Sequence, residues 1–426
     1  MGSLVYFVLP VVMLLAGVPV FAILLGVSII ALAINPQLPM HSVQTVVFGA
    51  LDSFPLLAIP LFILAGDIMG SGGLARRLIE WVMSIVGGIR GSLAVTVVAS
   101  STMFGAMSGS SVGCIAAVGR TLYKPLRKAG YSVPFSGGVI AATGAIDVLI
   151  PPSIPMIIYG IAAQQSVPKL FLAGIVPGIL MALVAAAYVL VYARVKMVPL
   201  TDPARWRNIV AATRDASWSL AAPVVILGGI YGGVFTPTEA AGVAVIYAML
   251  VSRYVYKELS WPDLWRVATR SMYLMAQILI IVAGAGLYSW LVTTSGLPQQ
   301  LVASLQQLGL PTWQLLIVFN ILLLVIGSFV EPPAAILILT PLFLPTVIAA
   351  GMDPIHFGII MTMNLAIGMF TPPFGLNLFA VNGLFKVPLE TLNRGVLPLL
   401  ALYIGVLMLI TYVPAITLAP LKLMSQ

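Results

Sequence analysis

The sequence predicts an all-α polytopic membrane protein of inverted-topology repeats, each with a re-entrant helical hairpin and a broken helix. Three observations carry this. Of 426 residues, 61% are hydrophobic and 8% charged, with a mean hydropathy of +1.11; a soluble domain carries about 25% charged residues. Eighteen of the 20 Lys and Arg residues fall into five short clusters. Gly and Pro signals recur in the two halves at an offset of 221–223 residues.

Residues 1–51 and 271–330 contain no Asp, Glu, Lys or Arg. Each window exceeds the roughly 20 apolar residues that one crossing needs. The composition also excludes several chemistries. The single Cys114 allows no internal disulfide and no thiolate metal site, and His41 and His356 lie too far apart in sequence to suggest a histidine site. No Walker A pattern occurs, so that route to ATP is closed. The net charge of +8 fits cytoplasmic loops rather than nucleic acid. The N-terminus lacks the basic region of a signal peptide, and Tyr6 breaks the myristoylation pattern begun by Gly2.

The basic clusters lie at 76–90, 120–128, 194–214, 253–270 and 386–394, whereas 35–53, 232–236, 294–312 and 350–355 carry none. The positive-inside rule puts the clusters in the cytoplasm and the bare connections outside. Residues 4–34 then go out, 54–72 return, and 74–88 form an interfacial helix. Segment 91–119 has both ends cytoplasmic but is too short for two spans, which makes it a hairpin turning at Ser108-Gly109-Ser110-Ser111. Residues 133–166 cross outward with a break at Pro151-Pro152, and 170–193 return. In the second half 214–231, 237–252 and 271–293 cross in alternation, and 297–309 forms an outer interfacial helix. Residues 312–349 make a hairpin turning at Glu331-Pro332-Pro333. Residues 356–385 cross with a break at Pro372-Pro373, and 395–418 exit. The N-terminus is expected inside and the C-terminus outside.

Gly73-Leu74 matches Gly296-Leu297, Gly105 matches Gly327, Ala129-Gly130 matches Ala350-Gly351, and Pro151-Pro152 matches Pro372-Pro373. Matched Gly/Pro interruptions in inverted repeats point to a transporter's midplane binding site. Unwound backbone at membrane depth must line a polar cavity or be buried in protein. It offers carbonyls to a hard cation such as sodium, and helix N-termini to a carboxylate. The candidate cation ligands are Ser108, Gly109, Ser110 and Ser111; Thr143, Gly144 and Asp147; Glu331 and Pro332; and Gly368 and Thr371. A substrate carboxylate is expected against Ser110, Pro152, Ser153, Pro333, Pro373 and Asn377. Asp147 and Glu331 stand out because an intramembrane acid costs at least about 2.5–3.5 kcal/mol. Asp67 and Glu239 lie near helix ends and read first as scaffold.

The runs Ile59-Pro60-Leu61-Phe62-Ile63-Leu64-Ala65-Gly66-Asp67, Leu149-Ile150-Pro151-Pro152-Ser153, Phe235-Thr236-Pro237-Thr238-Glu239-Ala240-Ala241 and Thr371-Pro372-Pro373-Phe374-Gly375-Leu376-Asn377 stand in one order. Together they resemble the large DctM-type membrane subunit of tripartite ATP-independent periplasmic (TRAP) transporters, over essentially the whole chain. Asp147 departs from that pattern, which has a glycine just before the Leu-Ile-Pro-Pro-Ser run. The resemblance implies sodium-coupled uptake of a small organic acid by an elevator mechanism, with Na+ as coupling ion, in a bacterial inner membrane. It also implies two partners on separate chains, a periplasmic substrate-binding protein and a small four-helix membrane subunit.

On this reading 91–168 and 311–390 form the transport domain. Residues 1–90, 169–310 and 391–426 form scaffold. The nearest alternative is a stand-alone sodium/carboxylate carrier that needs no binding protein. A passive channel or a membrane enzyme fits less well, because the 12 acids are scattered rather than clustered.

Overall fold

Without water in the bilayer core, backbone polar groups must be satisfied within the chain. Every regular element among the described residues is accordingly helical. The computed structural model describes residues 6, 8–35, 40–307 and 311–424. The first half runs α1 (Leu9–Leu15), α2 (Val20–Ile34), α3 (Met40–Leu51), α4 (Ala58–Ser71) and α5 (Leu74–Val86). Hairpin 1 is α6 (Ser92–Ser108) with α7 (Ser111–Lys128), and broken helix 1 is α8 (Val133–Asp147) with α9 (Ile154–Ala162), before α10 (Val167–Val195). The second half runs α11 (Trp206–Tyr231), α12 (Pro237–Leu250), α13 (Trp261–Thr294) and α14 (Leu297–Gln307). Hairpin 2 is α15 (Thr312–Gly327) with α16 (Pro332–Ala349), and broken helix 2 is α17 (Pro354–Gly368) with α18 (Leu376–Phe385). Helices α19 (Leu389–Tyr412) and α20 (Ala415–Met424) close the chain.

Among the described residues, seven helical segments are long and apolar enough to cross a membrane. The apolar side chains of Ile29, Leu183, Val224 and Ile321 are mostly exposed, which suits a lipid-facing surface and not water. Trp206 and Trp265 are also exposed, beside the basic clusters, where amphipathic rings favour the headgroup level.

Four elements differ from the sequence reading. The first crossing is not continuous over 4–34: Gly17 adopts a left-handed φ of +79° and Pro19 precedes α2, dividing it from α1. The outer connection 35–53 contains α3, which packs on α13. Helix α13 starts well before 271, inside the basic cluster, because Ser260 and Asp263 form a capping box that sets its N-terminus. The final crossing ends at Tyr412 ahead of Pro414, and α20 follows. Residues 4, 5 and 7 of the first crossing, 36–39 of the first connection and 308–309 of the outer amphipathic segment lie outside the described residues, as does the His41 side chain.

The amphipathic α5 behaves as its pattern requires. Leu74, Ala75, Leu78, Ile79 and Val82 are buried, while Arg76 and Arg77 reach Glu258 at 2.6 and 2.5 Å. Arg77 also meets Asp215 at 3.3 Å. Burial works against a charged Glu258, but hydrogen bonds and charge from the two guanidiniums outweigh it and hold the carboxyl below the usual glutamate range. This network ties α5 to the segments around α11 and α13.

The repeats align closely. Helix α8 and helix α17 start and stop 221 residues apart, and so do the C-termini of α7 and α16. Hairpin 1 packs on α8 and hairpin 2 on α17. Helix α19 crosses α8 with the Gly395 backbone against Pro134 and Gly138, and α10 lies along α6 and α19. Small residues allow such close approach where the hydrophobic effect cannot drive helix association. A boundary at 169 or 391 therefore separates α10 and α19 from the helices they pack on most tightly.

Candidate functional site

At the tip of hairpin 1, Gly109 turns the chain with a φ of +61° and lies against the Pro152 carbonyl. Ser110 caps α7, its hydroxyl accepting the Gly113 N–H at 3.3 Å. Asp147, the last residue of α8, is completely buried. The Ser108 hydroxyl donates to its two carboxylate oxygens at 3.4 and 3.3 Å, and the Ser110 backbone N–H donates to the Ser108 hydroxyl oxygen at 3.4 Å. No Lys, Arg or His pairs with Asp147 among the described residues. Ser108, Ser110 and Asp147 are therefore brought together as the sequence expects.

Thr143 and Ser111 take other roles. The Thr143 hydroxyl accepts from Ser101 at 3.2 Å and donates to the Ile140 carbonyl at 3.3 Å, holding α6 to α8. The Ser111 hydroxyl, packed over Gly144, donates to Asn377 Oδ1 at 2.8 Å, and Asn377 Nδ2 donates to the Ala141 carbonyl at 3.0 Å. Asn377, from broken helix 2, thus reaches across to hairpin 1 and α8. Pro151, Pro152 and Ser153 are buried, and the Pro151–Pro152 bond is cis. Ser153 caps α9 and donates to the Val148 carbonyl at 2.5 Å, closing the break on itself.

The second pair keeps the same plan with different contacts. Gly327 at the end of α15 lies against Leu365 and Gly368 of α17. The Phe329 and Phe374 rings meet at 5.2 Å, joining the hairpin tip to the break. Glu331 caps α16 by position but makes no side-chain cap hydrogen bond, and its side chain is exposed. Pro332 is buried at the first helical position and Pro333 partly buried. Pro372–Pro373 is also cis, with Pro373 exposed. Thr371 donates back to the Ile367 carbonyl at 2.8 Å.

Sequence reasoning missed a buried polar chain behind this second pair. Asn364 Nδ2 donates to Asn320 Oδ1 at 2.6 Å, and Asn320 Nδ2 to the Thr411 hydroxyl at 3.1 Å. The signal was available, because Asn364 occupies the position that Thr143 holds in the first repeat, and both sit in apolar stretches. Of the two remaining acids, Glu239 completes a capping box with Thr236, and Asp67 accepts from Ser271 at 2.7 Å. Both take part in local hydrogen bonds that hold helix ends and neighbouring helices in place.

Each pair thus combines one carboxylate with hydroxyls and unwound backbone, a set of hard oxygens suited to a small hard cation. The arrangement has known relatives. Residues 7–416 match the family described as "Tripartite ATP-independent periplasmic transporter, DctM component". The C4-dicarboxylate TRAP transporter large permease protein DctM of Pseudomonas aeruginosa is 42% identical over 380 residues, covering 89% of each chain. The isethionate TRAP transporter permease protein DctMQ of Oleidesulfovibrio alaskensis is 41% identical over 407 residues, 95% of this chain and 64% of that one. The fold is similar to that of the YdaH transporter of Alcanivorax borkumensis, with a TM-score of 0.64 and 16% identity over 95% of this chain and 98% of that one. Family, relatives and fold agree on a transporter subunit rather than an enzyme: the chain belongs to the DctM family, the large multi-pass permease component of TRAP transporters.

Proposed function

We propose that the chain imports a small organic acid into the bacterial cytoplasm, coupled to sodium and dependent on a periplasmic binding protein. The observation that carries this reading is the pairing of each hairpin tip with a broken helix, with the Asp147 carboxylate meeting the Ser108 hydroxyl at the first and Glu331 at the hairpin turn of the second. Sodium is co-transported cargo here. The donor set fits it, since Asp147 is a fully buried acid that lacks a counter-charge among the described residues. The Ser108 and Ser110 groups would hold the ion at the first pair, and the Glu331 and Thr371 oxygens at the second. The substrate anion would lie between the tips, near Ser110, Pro152, Ser153, Pro333, Pro373 and Asn377, where the N-termini of α7, α9, α16 and α18 begin. Neutralising the anion with cations lowers the cost of carrying it through a low-dielectric layer.

In the proposed elevator cycle, the hairpins and broken helices move together, and α10 and α19 travel with them because their backbones are in contact. The remaining helices form the static frame, widened by the small membrane subunit. The N-terminus would be cytoplasmic and the C-terminus periplasmic. The two relatives are named for a C4-dicarboxylate and for isethionate, both small acids, and this supports an anionic substrate.

The test is uptake into proteoliposomes containing the chain and its small subunit, driven by an inward sodium gradient, with candidate acids given free or on the binding protein. Uptake requiring both sodium and the binding protein is expected. Uptake of free acid alone would instead indicate a stand-alone carrier, and transport indifferent to sodium would overturn the coupling.

A further inference from the structure

Set side by side, the two hairpin/break pairs match by residue. Ser110 and Glu331 are the capping residues of α7 and α16, 221 positions apart. Asp147 and Gly368 are the last residues of α8 and α17, at the same offset. Both crossings are also built alike. A methyl group on Gly105 would lie 2.9 Å from the Asp147 Cα, and one on Gly327 would lie 3.3 Å from the Gly368 Cα. The first pair therefore has a hydroxyl at the hairpin cap and an acid on the half-helix. The second has an acid at the cap and no side chain on the half-helix. Each pair holds one carboxylate, contributed by opposite partners.

From this exchange we infer that Asp147 supplies to the first cation site the single negative charge that Glu331 supplies to the second. A carboxylate withdrawn from water with only a hydroxyl donating to it is destabilising unless a positive charge joins it. No basic side chain provides that charge among the described residues, and the oxygens around it are those of the buried Ser108 and the buried, unwound 148–153 backbone. Each pair then takes up one monovalent cation against one fixed charge. The inference rests on the proposed function for the cation sites at the two pairs and for the identity of the ion.

The test uses the full-length chain in lipid nanodiscs, with thermal unfolding followed in sodium chloride against choline chloride at equal ionic strength and at two pH values. Asp147→Asn and Asp147→Gly are each expected to weaken the sodium-dependent stabilisation, raising the half-effective sodium concentration about tenfold or more. The combination Ser110→Glu with Asp147→Gly, which copies the second pair, is expected to restore it to within about threefold of the unmodified chain. Two independent substitutions keep the test decisive if one fails to fold. A folded Asp147→Asn protein with an unchanged sodium response would overturn the inference. So would a stabilisation that follows pH and ignores sodium, or a double variant that restores nothing. A chain indifferent to sodium but stabilised by lithium or potassium through Asp147 would sink the sodium coupling and leave the charge exchange standing.

Discussion

The first hairpin and its broken helix are closed on each other, and the second pair is open. Residues 148–153 are buried throughout, but in the second break Pro373 and Phe374 are exposed, as is Glu331 opposite them. Helices α8 and α17 match residue for residue, so backbone plan alone does not explain the contrast. Side chains do. Ser111, Asn377 and the Ala141 carbonyl link hairpin 1, broken helix 2 and α8, while Ser153 seals the first break. The second tip is held by one tilted aromatic contact and by glycine packing. Two repeats of one fold can thus present sites of the same charge with quite different access.

The largest effect is expected from Gly368→Asp, which would put the first pair's acid into the second. A methyl group there already lies 2.6 Å from the Gly327 Cα, and overpacking plus an added intramembrane charge should cost about 3 kcal/mol or more. Thermal unfolding of the purified chain reads this as a large drop in midpoint. Asp147→Gly should cost about 1 kcal/mol or less in sodium-free buffer, as a glycine at a helix end. Equal tolerance of the two changes would mean that the second crossing has room for an acid as the first does, and would remove the steric contrast between them.

Asn377→Leu comes next. It removes one bond from Ser111 and one to Ala141 and leaves both groups buried, a loss of about 1–3 kcal/mol. A double-mutant cycle with Ser111→Ala should show coupling between the two positions, and additive effects would deny the bridge. Phe374→Ala should cost about 0.5–1.5 kcal/mol and loosen only the second tip. Maleimide labelling of a Val330→Cys variant would then accelerate, with the native Cys114 buried and silent.

The smallest effect lies outside both pairs, in the cytoplasmic anchor. Glu258 is held below the usual glutamate range when folded, so its contribution is complete above the unfolded value of about 4.3. It is lost as pH falls through the lower, folded value. Arg76 is half exposed, so the pair is screened and is worth under about 1 kcal/mol. Glu258→Gln should flatten the acid limb of the stability curve in pH titration and leave the contrast between the two pairs unchanged.

Much of this plan is legible in the chain because its causes are local. A run of apolar residues must be helical in lipid, a Pro-Pro pair cannot continue a helix, and Ser108-Gly109-Ser110-Ser111 invites a turn wherever it stands. Even the hairpin turns at Glu331 and Gly109 follow from such rules. The helix at 40–51 and the early start of α13 are not legible in the sequence, since they depend on packing and capping at segment ends. The Asn320–Asn364 chain was passed over because uncharged amides give a weaker signal than acids do.

What the sequence determined by itself was the class of molecule, the matched interruptions and the positions of the two intramembrane acids, through hydrophobicity, turn chemistry and charge placement. Tertiary structure alone decided which partners meet. Ser111 and Asn377 are 266 residues apart, Thr143 grips Ser101 rather than the hairpin tip, and α10 and α19 pack on the helices of the first hairpin and broken helix. In a membrane, helix association depends on shape fit between small residues and on a few polar contacts, and neither can be read from a helix in isolation.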